Sequence, residues 1–296
     1  MKKPNFFILG APKCGTTSLA YWLSKHPNVF ISPHKEPHYF NDDLRFHQYS
    51  WRDFEHYLSL YEGANRNHKI VGEASTWYLL SQTAVQNIEA ELGCVRYIVM
   101  LRNPVEMAPS LHGQLLLSGR ENVVDFETAW HLQERRRQGK AVPWNCPDPE
   151  CLQYKKACSL GEQLTRLYKT VDKCRVLPVF LEDIQKDVHG EWGRILDFLD
   201  LPMWADLDFK TENQARHWQW LWVRDIKIIY VRMLRQLGLP WLRIGLLKNL
   251  VGATIKESRR KPLSIELRRE LEAEFAEDIN ELAKLTKRDL SHWIKG

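Results

Sequence analysis

The sequence predicts an α/β fold: an open parallel sheet flanked by helices, followed by a helical C-terminal elaboration. Three observations carry that expectation. Short apolar runs alternate with helical patterns from Asn5 to Leu199, helix-length segments rather than hairpin turns separate the strand-like runs, and the last third has helical, charged periodicity. Parallel neighbours need crossovers of that length, and such sheets bind ligands beyond the carboxyl ends of their strands.

Asn5–Gly10 reads as a buried strand and Thr16–Lys25 as a helix that stops before His26-Pro27. Lys69–Gly72 is a second short strand, with a helical pattern over Ser81–Leu92. Val95–Leu101 is strongly β-like, and Pro104 opens the next helix, where a proline lacks only an N–H that the first turn leaves unpaired. Arg175–Phe180 is a fourth strand and Gly190–Leu199 another helix. Trp218–Leu250 is rich in Trp, Leu, Ile, Arg and Lys, with a break expected at Gly238-Leu239-Pro240. Leu263–Trp293 is helical and highly charged, opened by Pro262 and Ser264. Neither an internal repeat nor a low-complexity linker divides the chain. The expectation is one domain over residues 1–296, with 218–262 as an aromatic, basic elaboration and 263–296 as a C-terminal helix.

The 296 residues include twelve tryptophans and are 44% hydrophobic, ample for a buried core. A formal net charge of +5 favours anionic ligands, yet a nucleic-acid binder concentrates its charge more strongly. The apolar run after Lys2-Lys3 stops at Gly10, short of a signal peptide, and no segment has bilayer-spanning length. A cytoplasmic protein is expected. Cys146, Cys151 and Cys158 cluster in a proline-rich loop, but they form no Cys-x-x-Cys pair and no nearby His completes four ligands. Ordinary thiols and no metal are expected.

The chemistry concentrates after the first strand. A glycine-containing turn between strand and helix leaves several N–H groups pointing one way, and the helix dipole adds to their pull on an anion. Here the turn is Ala11–Gly15; Lys13 adds a positive charge and Thr16, Thr17 and Ser18 add hydroxyls. The arrangement is P-loop-like, with Gly10 and Gly15 at the spacing of a triphosphate loop. Thr16, however, stands where that loop has its lysine, and the strand Tyr97–Leu101 ends in Arg102 rather than a metal-binding Asp. A nucleotide kinase is therefore the alternative reading rather than the leading one.

Pro12-Lys13-Cys14-Gly15-Thr16-Thr17-Ser18-Leu19 resembles the 5′-phosphosulfate loop of the sulfotransferases that use 3′-phosphoadenylyl sulfate (PAPS), especially their heparan sulfate-type and bacterial branch. Further segments fit in order: His26-Pro27, Lys35-Glu36-Pro37-His38-Tyr39-Phe40, Gly72-Glu73-Ala74-Ser75, Arg102-Asn103-Pro104 with Ser110, and the tail Arg288-Asp289-Leu290-Ser291-His292-Trp293. The resemblance implies sulfuryl transfer to a hydroxyl or amine acceptor, on a carbohydrate, glycolipid or small molecule. Adenosine 3′,5′-bisphosphate (PAP) would be the product, and no metal would take part. It implies that Lys13, Cys14, Gly15, Thr16, Thr17 and Ser18 hold the donor, with Lys13 at the 5′-phosphate and bridging oxygen. Arg102 and Ser110 become the 3′-phosphate ligands, a role that suits a strand-end guanidinium able to grip phosphate in a bidentate way.

Glu36 matches the catalytic glutamate of the heparan sulfate-type enzymes; Glu73 and His38 remain alternative bases. One departure matters. Those enzymes commonly carry Glu-Lys where this chain has Glu73-Ala74, which puts a highly anionic, heparin-like acceptor in doubt.

Within Trp218–Leu250, Trp218, Trp220, Trp222, Ile226, Ile229, Tyr230, Met233 and Leu237 interleave with Arg224, Lys227, Arg232 and Arg235. One reading is an acceptor wall or membrane-surface face, which a catalytically inactive nucleotide-binding module could also use. The other is a packed helix whose basic side chains snorkel to water.

Overall fold

In a computed structural model, the described residues are 2–45, 53–204, 207–209, 216–218, 221–237, 255–257 and 262–294. The chain divides into two compact units, one of Met1–Ala108, Lys155–Glu212 and Arg268–Gly296, the other of Pro109–Tyr154 and Asn213–Leu267.

The first unit is built on a parallel sheet of β1 (Phe6–Gly10), β2 (Val29–Ile31), β3 (Ile70–Ala74), β4 (Arg96–Leu101) and β5 (Val176–Phe180), in the order β2-β3-β1-β4-β5. Every residue of β1 is buried, as a central strand covered on both faces requires, which is why its sequence is an unbroken apolar run. The register pairs Phe6 with Gly72 on one side and Phe7 with Tyr97 on the other. Gly72 has no room for a side chain, since a Cβ there would lie 2.0 Å from the Phe6 carbonyl oxygen. With the sheet, the first unit contains α1 (Thr16–Ser24), α2 (Phe54–Leu58), α3 (Ala84–Leu92) and the start of α4 (Pro104–Ser118), which continues into the second unit. It also contains α7 (Tyr154–Cys158), α8 (Leu160–Thr170), α9 (Leu181–Lys186), α10 (Val188–Phe198) and most of α12 (Ile265–Thr286).

The predicted strands and the helices after them are present. Several short elements carry no clear sequence signal, and β2 and α8 show why. β2 is only three residues long, too short for a period-2 signal, and α8 buries Leu160, Leu164 and Leu167 on one face in a stretch left unassigned.

The second unit contains α5 (Phe126–His131), α6 (Gln133–Arg137), α11 (Leu221–Gln236) and a short antiparallel pair, β6 (Arg216–Trp218) with β7 (Ile255–Glu257). A buried ion pair organises its interior: Arg136 and Glu121 are both fully buried and 2.7 Å apart. Tyr154 donates to the same carboxylate at 2.7 Å, as do the backbone N–H groups of Asn122 and Val123 at 2.8 Å. Burial alone would raise the Glu121 carboxyl, but these donors and the guanidinium hold it below its ordinary value. The expected break at Gly238-Leu239-Pro240 and the apolar stretch on to Leu250 lie outside the described residues.

Candidate active site

The chain leaves β1 through two backbone positions that only glycine fills comfortably. Gly10 has φ +143°, and a Cβ there would sit 2.5 Å from the Thr76 carbonyl oxygen. Gly15 has φ +92° and is the N-cap of α1. Between them the Ala11 N–H donates to the Met100 carbonyl at 2.9 Å, seating the loop against β4. The Leu19 N–H donates to the Gly15 carbonyl at 3.1 Å as the first bond of the helix ladder. The backbone N–H groups of Gly15, Thr16, Thr17 and Ser18 precede that first ladder bond, at the positive end of the helix. Lys13 is half-buried and held at φ +68°, a conformation that costs a side chain-bearing residue about 1–3 kcal/mol and concentrates at functional sites.

Cys14 faces the other way. It is fully buried, with Sγ 3.7 Å from the Met107 sulfur, and burial pushes its thiol up to about 12 against the opposing charges of Arg102 and Lys13. Only its backbone is left to the loop.

Arg102 follows directly on β4 and donates from Nη1 to the Lys13 carbonyl at 3.1 Å. The sheet order makes this position special. The connection leaving β1 runs to the β2 side and the one leaving β4 to the β5 side, so a crevice opens between their carboxyl ends. Lys13 and the first turn of α1 follow the end of β1, and Arg102 follows the end of β4. Asn103 opens α4 by accepting from the Val105 N–H at 2.9 Å. Further along α4, Ser110 is 1% exposed and its hydroxyl has no hydrogen-bond partner among the described residues.

The candidate bases form a second group, on the β3 side. Glu73 is fully buried near the end of β3 and accepts from Tyr57 at 2.8 Å, Ser75 at 2.6 Å and Tyr78 at 3.2 Å. Burial raises its carboxyl from 4.5 to about 7; the three hydroxyls pull it down, and the charge of Glu36 adds to the rise. Ser75 also accepts from the His38 backbone N–H at 3.2 Å, and His38 Nε2 lies 3.4 Å from Glu36. Glu36 and His38 both have φ +52°, so the loop carrying them is tightly specified. The Glu36 side chain is 26% exposed, whereas Glu73 has no exposure at all. The Leu79 N–H donates to the Leu9 carbonyl at 2.9 Å, which joins the segment after β3 to the end of β1.

Two groups therefore lie near the carboxyl ends of adjacent strands, Lys13 with Arg102 at β1 and β4, and Glu36 with Glu73 on the β3 side. Residues 3–221 match the sulfotransferase domain family. The chain belongs to the sulfotransferase family.

A sulfotransferase from Alicyclobacillus acidocaldarius has a similar structure, with a TM-score of 0.72 at 25% identity over 99% of both chains. A membrane-associated sulfotransferase of Dictyostelium discoideum is 36% identical over 109 residues, 36% of this chain and 22% of that protein. The mouse heparan sulfate glucosamine 3-O-sulfotransferase 6 is 28% identical over 215 residues, 67% of this chain and 52% of that protein. The chain thus spans about a fifth to a half of the length of these two curated relatives. Among the described residues, no group of three or more His, Cys, Asp or Glu side chains could hold a metal.

Sequence reasoning missed Tyr57, Tyr78 and Ser75 as partners of Glu73. A serine two residues after a strand-end glutamate is a usable signal, but no spacing rule links Tyr57 to Glu73. The tail motif also acquires a structural place in this sulfotransferase. Arg288 bonds to Glu182 and Asp183 and lies 4.3 Å over the Phe180 ring, while Trp293 Nε1 donates to Glu182 at 3.0 Å. Asn103 reaches the Trp293 carbonyl at 3.4 Å, so the tail braces the residue next to Arg102.

Proposed function

We propose that this sulfotransferase takes its sulfuryl group from PAPS and delivers it to a hydroxyl or amine of a carbohydrate or carbohydrate-bearing lipid. The observation that carries the reading is the Arg102 guanidinium bonded to the phosphate-loop backbone at the β1/β4 crevice. PAPS fits the crevice through its two anionic ends. Lys13 and the N–H groups of Gly15, Thr16, Thr17 and Ser18 hold the 5′-phosphosulfate, where preorganised donors meet the charge developing on the bridging oxygen. Arg102 and Ser110 hold the 3′-phosphate; the buried hydroxyl of Ser110, without a hydrogen-bond partner among the described residues, suits an anionic acceptor. A P-loop-like role for the loop follows from this reading.

Glu36 takes the proton of the acceptor hydroxyl as its oxygen bonds to sulfur. The bond from sulfur to the 5′-phosphate oxygen breaks in line, and its electron pair stays on that phosphate. His38 orients Glu36. Glu73, buried and bonded through Ser75 to the His38 backbone, fixes the loop. A carbohydrate acceptor is supported by the relation to a heparan sulfate glucosamine sulfotransferase. The match from residue 3 to 221 also supports reading both units as parts of one sulfotransferase domain.

Calorimetry with PAP in the absence of magnesium tests the donor site. Tight binding is expected, and Lys13→Ala and Arg102→Ala each weaken it about 10- to 100-fold, the worth of a hydrogen bond to a charged group. Preference for magnesium–ATP would replace this reading with the kinase one. PAP binding without sulfation of any carbohydrate or glycolipid acceptor would favour an inactive module.

A membrane-surface contact through α11 is a second part of the proposal. Trp222, Ile226, Ile229 and Met233 occupy one arc of the helix and, with Leu237 just past its end, are 46–62% exposed, while Val223 and Leu234 are buried on another. Arg232 borders the exposed stripe, as expected of a helix lying in an anionic interface. A relative named for membrane association supports it. Co-sedimentation with phosphatidylglycerol-containing vesicles, but not with pure phosphatidylcholine, is expected. Ile229→Glu with Met233→Glu abolishes it. Absence of vesicle binding by the unaltered protein would remove this contact.

A further inference from the structure

We propose that Cys146 and Cys151 are a redox modification site, a dithiol that closes reversibly to an intramolecular disulfide in the second unit. Their sulfur atoms lie 3.5 Å apart as thiols. A disulfide bond is about 2.05 Å long, so rotations about the two side chains supply most of the approach. The surrounding frame is already fixed. Arg136, anchored in the buried pair with Glu121, donates from Nε to the Ala141 carbonyl at 3.3 Å on one side of the loop. On the other side Gln153 donates to the Gln133 carbonyl at 3.0 Å, and Tyr154 reaches Glu121 at 2.7 Å. Between these anchors the Cys146 N–H donates to the Pro143 carbonyl at 2.9 Å and the Cys151 N–H to Asp148 at 3.2 Å. Pro143, Pro147 and Pro149 each lock a φ angle, so little chain freedom is left to lose on closure.

The two sulfurs have different access, which fixes the order of events. Cys146 is half-buried and can be reached from solvent, whereas Cys151 has no exposure. Electrostatics agrees with this division. The hydrogen bond from Cys151, with help from Arg120, holds the Cys146 thiol below its ordinary value, while that same shared bond and burial push Cys151 up. With a small disulfide such as oxidised glutathione, the Cys146 thiolate attacks one sulfur and expels a glutathione thiolate. The Cys151 sulfur then attacks Cys146 in the mixed disulfide, giving up its proton and releasing the second glutathione thiolate. Two protein thiols are oxidised and one small disulfide is reduced to two thiols.

Lys140 and Lys155 bracket both cysteines with no other Lys or Arg between them, so trypsin releases them in a single peptide, 141–155. The whole protein is equilibrated with oxidised and reduced glutathione, quenched with acid and mapped by mass spectrometry. The wild-type peptide is expected to lose two hydrogens and regain them with dithiothreitol. Cys151→Ser is expected to trap a glutathione adduct on Cys146, and Cys146→Ser to leave Cys151 unmodified. A wild-type peptide that stays reduced, or that carries glutathione on Cys146 with no internal bond, overturns the proposal. Both outcomes are read on the unaltered protein and do not depend on the folding of either variant.

Discussion

Glu36 and Glu73 are the two candidate bases, and their surroundings differ sharply. Glu73 is sealed off and takes three hydroxyl hydrogen bonds, whereas Glu36 keeps contact with solvent and with His38. A proton acceptor must reach its substrate, so Glu36→Gln is expected to lower turnover about 10²- to 10⁴-fold while leaving PAP affinity unchanged. Steady-state kinetics alongside calorimetry separates the two effects. Glu73 makes a different prediction, one of stability. Below about pH 4.5 both the folded and the unfolded carboxyl carry a proton. Between 4.5 and about 7 the unfolded chain releases its proton while the fold retains it, so stability falls as pH rises. Above that window both are ionised and the loss is complete. Urea unfolding of wild type should show this decline, and Glu73→Gln should flatten it. An identical slope in the variant would assign the decline to other groups.

At the scale of elements, the C-terminal tail is a brace rather than a free end. Trp293 is 2% exposed, contacts Phe180 at a ring separation of 5.9 Å and meets Asn103 through its carbonyl. Leu181, the first residue of α9, would lie 3.0 Å from a Cβ on Gly15, so the helix that the tail clamps also backs the loop between β1 and α1. Trp293→Ala is expected to lower unfolding free energy by about 3–5 kcal/mol, typical of deleting a buried aromatic. It should also weaken PAP binding, whereas a substitution at exposed Ile265, at the start of α12, should do neither. Denaturation midpoints and calorimetry on the same preparations make the comparison.

Across the whole molecule, each unit has a buried charge with its own solution. In the first unit Glu73 has hydroxyl partners and keeps its proton easily; in the second Glu121 has Arg136 and stays ionised. Arg136→Met leaves that carboxylate buried without its counter-charge, at a cost of about 3–5 kcal/mol. Adding Glu121→Gln should recover part of the loss, since no charge is then stranded. A double variant less stable than the sum of the singles would mean that the pair does not act as a unit.

The sequence by itself determined the sheet, the strand-loop-helix turn at Gly10–Gly15 and the family. Each is local: an unbroken apolar run is a covered parallel strand, Gly10 and Gly15 supply left-handed backbone at set positions, and Lys13, Thr16 and Arg102 lie within or next to those elements. The tertiary structure alone decided which groups meet. Tyr57 and Tyr78 reach Glu73 across separate segments, and that enclosure distinguishes it from Glu36, which a motif cannot do because burial depends on what folds over a residue. The same holds for Cys14, turned into the core by the loop that contains it, and for Trp293, whose anchor Glu182 lies more than a hundred residues away. Cys146 and Cys151 read as ordinary thiols from spacing alone. Their sulfurs come together only because Arg136, Gln153 and Tyr154 hold both sides of the loop, and hydrogen bonds between distant residues leave no period in a sequence.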